Sequence, residues 1–307
     1  MIFLSHCLIA LGIFFSSFQN SAYAEASNVA LQASPAFQQI QLDPNTTYHG
    51  IFSIQNIGDE SLSFALSIYP YQVNGLDYNV DLATTNSRTK ITDWIKFDYL
   101  EGTIDPRSTK DIPYTITVPS DVASGGQYAV LSAETKDFAD NETDSNIKVV
   151  GSVGMVLFAQ ISGDTQKSGS LTESKINPFL INGPIVTETT ISNSGNIDFP
   201  VETSLRITKI FNNRVVYDNS DDPNIKYVLP ETSRLIIDTW QDTPKIGIFR
   251  VTQSVSFLDQ SFSEEKIVVV CPLWLSIALI TILVLIVILI VSTALSYIHK
   301  RKNKHFF

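Results

Sequence analysis

Residues 273–295 carry no charged side chain and few polar ones, reading Leu-Trp-Leu-Ser-Ile-Ala-Leu-Ile-Thr-Ile-Leu-Val-Leu-Ile-Val-Ile-Leu-Ile-Val and onward. A helix of about 20 apolar residues reaches across a hydrocarbon layer of ~30 Å. Trp274 and Tyr297 flank the run, where amphipathic rings favour the headgroup zone. Lys300, Arg301, Lys302 and Lys304 follow at once. The reading is a transmembrane helix over 272–298 with a basic cytoplasmic tail at 299–307, which puts everything before it outside the cell membrane.

The amino-terminal end carries a second address. Residues 2–18 are mostly apolar, and polar Gln19-Asn20-Ser21 precedes the small-residue pattern Ala22-Tyr23-Ala24. This predicts a signal peptide over 1–24 and a mature chain starting at Glu25, although no Lys or Arg precedes the apolar run. All 31 acidic residues lie in 25–270 against 17 of the 21 basic ones, a net charge of −14 for that stretch. Such a body repels phosphate backbones, which excludes nucleic-acid binding as a main role. The two cysteines, Cys7 and Cys271, leave the exported body without a disulfide, so it relies on a core of its own.

Between the two apolar runs, residues alternate with period two. Leu62, Phe64, Leu66 and Ile68 interleave with small or polar residues, and Ile112, Tyr114, Ile116 and Val118 do the same. So do Val201, Thr203, Leu205 and Ile207, and later Phe249, Val251, Val255 and Phe257. Strands of this kind bury one face and wet the other. The body is therefore predicted to be all-β, as two tandem immunoglobulin-like β-sandwich modules.

The duplication shows in the turns. Asn56-Ile57-Gly58-Asp59 and Asn193-Ser194-Gly195-Asn196 each suggest a hairpin, and each is followed by a proline-led turn, at Pro106 and Pro230. A glycine then launches an aromatic strand, Gly126-Gln127-Tyr128 and Gly247-Ile248-Phe249. The Pro-to-Gly spacing is 20 residues in the first copy and 17 in the second, but the Asn-to-Pro spacing is 50 against 37. The first module thus carries an insertion at 69–95, with Asn74-Gly75 and Thr84-Thr85-Asn86-Ser87 as loop residues. The expected modules are 25–163 and 170–262, separated by a polar link and followed by a polar stalk over 259–266.

Trp94-Ile95-Lys96-Phe97, Asp105-Pro106, Ile116-Thr117-Val118-Pro119 and Gly125-Gly126-Gln127-Tyr128 resemble the WxL-interacting surface proteins of Gram-positive bacteria. Asn193-Ser194-Gly195-Asn196 and Val228-Leu229-Pro230-Glu231-Thr232-Ser233-Arg234, with Trp240 and Gly247, extend the resemblance to the second module. It implies peptidoglycan as the partner of the first module and a protein as the partner of the second.

Candidate site residues are few. His49 is the only histidine of the exported body, and no G-x-S-x-G elbow accompanies it, so no nucleophilic triad or zinc set is expected. Asp140, Glu142 and Asp144 offer oxygens for calcium, but the glycine and glutamate of an EF-hand are missing, and a solvated loop is the competing reading. Trp94 and Trp240 offer either stacking faces for a sugar or a protein anchor, or plugs for the two cores. Tyr69, Tyr71 and Tyr78 flank turn residues of the insertion and are the favoured ligand contacts, with Trp94 beside them. No cofactor is expected. The reading is a non-enzymatic, membrane-anchored surface protein binding peptidoglycan or another envelope protein, with lipid as the partner of its helix. The alternative is a tethered chaperone acting by strand addition at a sheet edge, a role that Pro113 and Pro119 oppose if they block that edge. A hydrolase working through carboxylates alone is a third option.

Overall fold

A computed structural model of the chain describes residues 31–136 and 151–303. The expected signal peptide lies outside the described residues, as do the calcium candidates Asp140, Glu142 and Asp144.

The first module runs β1(Leu31–Ser34), β2(Phe37–Leu42), β3(Thr47–Asn56), β4(Leu62–Pro70), β5(Gln72–Asn74), β6(Asn79–Asp81), β7(Ile95–Phe97), β8(Glu101–Ile104), β9(Thr109–Thr117), β10(Gly125–Lys136) and β11(Ser152–Ile161), with a 3₁₀ turn at Lys90–Asp93. Two sheets form, ordered β1-β3-β9-β7 and β2-β11-β10-β4-β8, and β5 and β6 make a separate hairpin. Phe52, Ile54, Phe64, Ile112, Tyr114, Leu131 and Met155 fill the space between the sheets and are fully buried. The alternation read from the sequence sends these side chains inward.

The second module runs β12(Gly169–Ile176), β13(Phe179–Leu180), β14(Ile185–Asn193), β15(Phe199–Lys209), β16(Val215–Asp218), β17(Asn224–Val228), β18(Ser233–Trp240), β19(Gly247–Phe257) and β20(Gln260–Val270). Its sheets are β12-β14-β18 and β13-β20-β19-β15-β16, with β17 also paired to β15. The core falls into two clusters, one around Trp240 and Phe249 and one around Phe199 and Phe257. Thr187, Thr189, Thr203, Asp238 and Gln253 are among the buried polar residues of the same module. Gln253 donates to Thr189 Oγ1 across the sandwich at 2.5 Å, and Asn224 donates to Asp238 Oδ1 at 3.1 Å.

Two expectations are corrected. The Asn56 and Asn193 turns are not hairpins, because β3 pairs β1 and β9 whereas β4 pairs β10 and β8, and β14 and β15 likewise belong to different sheets. Each turn is a crossing between sheets, organised by its buried asparagine. Asn56 Nδ2 donates to the carbonyls of Glu60, Ile104 and Asp105, while its Oδ1 accepts from the Gly58 N–H. Asn193 repeats this with Ile197, Val228 and Gly195. The proline-led turns close both sites, since the amides of Asn56 and Asn193 donate to the carbonyls of Ser108 and Thr232. Arg107 and Glu231, at matching places, both take the left-handed conformation, φ 55° and 60°. The launching glycines match too: a methyl group at Gly126 or Gly247 would collide with the ring of Tyr128 or Phe249 two residues on.

The polar stalk expected over 259–266 is part of the second sandwich instead. Residues 260–270 are a strand, paired with β19 along its whole length, because Ile267, Val268, Val269 and Val270 extend the alternation that the charged Glu264-Glu265-Lys266 obscures. Only Cys271 and Pro272 separate β20 from α1(Leu273–Asn303). Within it, Leu273–Ser296 is 24 residues with mean hydropathy 3.2 and no burial, long and apolar enough to cross a membrane.

Replacing either buried asparagine strands two or more buried carbonyls. Asn56→Ala and Asn193→Ala should each lower stability by about 2–4 kcal/mol in urea unfolding. A loss below ~0.5 kcal/mol would contradict the role given to these side chains.

Candidate functional site at the module junction

The insertion of the first module folds over the second. From β4 the chain enters the β5–β6 hairpin, whose Asp81 accepts from the amides of Ala83 and Thr84 at 2.8 and 3.0 Å and from Gln72 Nε2 at 3.0 Å. These donors hold the Asp81 carboxyl well below the usual carboxylate range, the backbone N–H of Ala83 first among them. At the tip of the hairpin the Leu76 carbonyl accepts the Leu235 N–H of edge strand β18 at 2.9 Å. Tyr78, at φ 58°, points its ring into the junction. Its hydroxyl accepts the Leu229 N–H at 2.5 Å and lies 2.9 Å from Thr232 Oγ1. The Arg234 guanidinium covers the ring at 4.2 Å from its centre.

An aromatic cluster lies beside it. Phe158 meets Tyr128 edge-on at 4.8 Å, Phe37 at 5.0 Å and Tyr227 at 5.8 Å, and Tyr71 closes the group at 5.8 Å. Edge-to-face pairs of this kind add to the burial itself. Polar contacts ring the cluster. Tyr128 donates to Asp198 Oδ1 at 2.9 Å, Gln39 donates to Asp198 Oδ2 at 3.1 Å, and the Gly126 N–H donates to the Asn196 carbonyl at 2.8 Å. Arg88 pairs with Glu231 at 2.9 Å. Burial pushes the Tyr78 and Tyr128 hydroxyls up, and it pushes the Asp198 carboxyl up as well.

The structure separates the ligand candidates. Tyr71 and Tyr78 come together, but between the modules, where Tyr78 is buried. Tyr69 is apart from them on the outer face of β4, its hydroxyl donating to Glu134 Oε1 at 2.6 Å. Trp94 caps the 3₁₀ turn, accepts the Thr117 N–H at 3.0 Å and packs half-buried on the first core. Trp240 is a core residue of the second module. His49 Nδ1 lies 3.2 Å from Thr115 Oγ1, away from any of these. An opening at the junction, lined by Tyr71, Val73, Arg88, Tyr128, Leu229 and Thr232, measures about 60 Å³. That is room for a water or two and not for a sugar ring. Among the described residues no three His, Cys, Asp or Glu side chains assemble as a metal-ligand set.

Sequence reading missed Tyr128, Phe158, Asp198, Tyr227 and Arg234 as junction residues. The available signal was the insertion, which faces the Pro230-Glu231-Thr232 turn.

No family model and no curated protein matches the chain. Several solved structures are similar. A chaperone–tip adhesin complex of CFA/I fimbriae shares 11% identity over 77% of this chain and 98% of that one, at a TM-score of 0.40. A CsuC–CsuE chaperone–tip adhesion subunit complex from the Csu pili of Acinetobacter baumannii shares 11% over 77% and 97%, at 0.39. The E. coli chaperone DraB shares 8% over 76% and 96%, at 0.39. The fold assignment stands on this chain's own strand pairing: a two-module, all-β body joined to a long apolar helix.

Two outcomes follow. Tyr78→Ala removes a buried ring and two hydrogen bonds that cross the junction, so thermal unfolding of the full chain should change from one transition to two. A single, unshifted transition would contradict the clamp. A carboxyl whose native pKa is raised binds its proton more readily when folded, so its contribution to stability is fully present below about pH 4 and is lost as pH rises through the native value. Asp198→Asn keeps one of the two acceptor contacts on its single oxygen, places an NH2 at the other and no longer titrates, so it should flatten that loss in pH-dependent melting. An unchanged pH profile would contradict it.

Proposed function

We propose that this chain is a non-enzymatic, single-pass membrane protein that holds a rigid pair of β-sandwiches outside the cell membrane to bind peptidoglycan or another envelope protein. The observation that carries this reading is the passage of β20 through two residues into a 24-residue apolar helix. The basic cluster after that helix supports a cytoplasmic tail, and the acid-rich body supports an external location. The resemblance to WxL-interacting proteins around Trp94 and Pro230 supports an envelope partner. With the junction closed, ligand contact falls to the outer surfaces of the modules, Tyr69 among them.

The chaperone reading gains one specific observation. Strand β2 covers β11 only from Val156 onward, so among the described residues nothing pairs with the outer side of residues 152–155. Pro113 does not guard this edge, because it sits in β9 opposite Ile51 of β3, in the other sheet. Recovery of an envelope subunit lacking one strand, with amide exchange slowed at residues 152–155, would favour this reading over the first.

Full-length protein in lipid nanodiscs should sediment with purified peptidoglycan sacculi or retain a defined envelope protein. Failure with both would contradict the proposal.

A further inference from the structure

The end of the second module from which α1 departs gathers exposed apolar side chains from several loops. Strand register fixes which loops lie there. Val270 pairs with Gly247 on one side and Leu180 on the other, and the Cys271 N–H still donates to the Leu180 carbonyl at 2.8 Å. Lys209 pairs with Phe249, two residues in from Gly247, which brings the β15–β16 turn to the same end. The loop before β14 joins them, because the Ile185 N–H donates to Thr243 Oγ1 at 3.0 Å.

These loops present large apolar side chains to the outside. Phe211 is 85% exposed, Phe179 53%, Ile246 53% and Ile181 51%, and strand register brings all four to one end. A cleft of about 190 Å³ opens between the Phe211 and Ile246 loops. The charged residues of the same loops are Lys209, Arg214 and Lys245 against Asp242, a positive balance on a body whose net charge is −14. Trp274 follows in the first turn of the helix, 66% exposed.

We propose that this end of the module rests on the bilayer, with Phe179, Ile181, Phe211 and Ile246 set among the lipid headgroups and Lys209, Arg214 and Lys245 against their phosphates. The inference rests on the reading of α1 as membrane-spanning. Given that reading, the two-residue connection leaves no slack to lift the module away, and α1 brings the same four side chains down to the headgroup zone. Apolar groups gain there by leaving water, and cations gain from anionic headgroups. Seated this way, the body stands at a fixed attitude to the membrane instead of swinging on a tether.

Spin labels on the full chain in anionic nanodiscs test this, with Cys7 and Cys271 replaced by Ser and one label each at Phe211→Cys, Leu283→Cys and Asp59→Cys. Asp59 marks the Asn56 turn at the far tip of the first module. The expected oxygen-to-nickel accessibility ratio is lipid-like at 283, water-like at 59, and several-fold above the latter at 211. A water-like value at 211 with a lipid-like value at 283 overturns the inference and leaves the anchor standing. A water-like value at 283 removes the anchor, and the inference with it.

Discussion

The organisation of the body depends on two backbone amides of the second module, those of Leu229 and Leu235, which find their acceptors on the first. The Tyr78 hydroxyl takes one and the Leu76 carbonyl takes the other. An edge strand presents unpaired polar groups that favour pairing with any passing chain. Here the inserted hairpin covers part of that edge on β18 and ties it to its neighbour. The Phe158 cluster adds apolar burial around the same line, and the Tyr128–Asp198 and Arg88–Glu231 contacts set its register. Two domains joined only by a polar link move independently by default. These contacts remove that freedom.

Much of the fold was legible in the sequence, and the reason is local. Period-two alternation depends only on which face a residue meets, so β4, β9, β15 and β19 announced themselves. The duplicated Asn-x-Gly and Pro turns were legible as a repeat, yet their meaning was not. A buried asparagine that satisfies the carbonyls of a crossing looks in sequence like any Asn-Gly turn, and only strand pairing shows that β3 and β4 part company. Strand β20 was hidden because Glu264, Glu265 and Lys266 lie on an outer rim, where alternation loses contrast.

The insertion was found by spacing alone, and tyrosines in a loop suggested a ligand. What the sequence does not carry is the distance between modules. Tyr71 and Tyr78 come to lie against Phe158 and Arg234, residues ~80–155 positions later, and no local pattern encodes such a contact. The candidate site is therefore the least legible part: Tyr78 is buried, while Tyr69, Tyr71 and Trp94 each keep part of their surface in solvent.

These contacts on a short connection have a consequence for recognition: any partner would meet both modules in one fixed relation, so binding would need no prior ordering of the pair. The most direct measurement is the distance between spin labels at Lys96→Cys in the first module and Glu202→Cys in the second, in the full chain with Cys7 and Cys271 replaced by Ser. The account expects one narrow distribution, as sharp as the labels themselves permit. A broad or multi-peaked distribution would contradict it, showing modules that swing about their link.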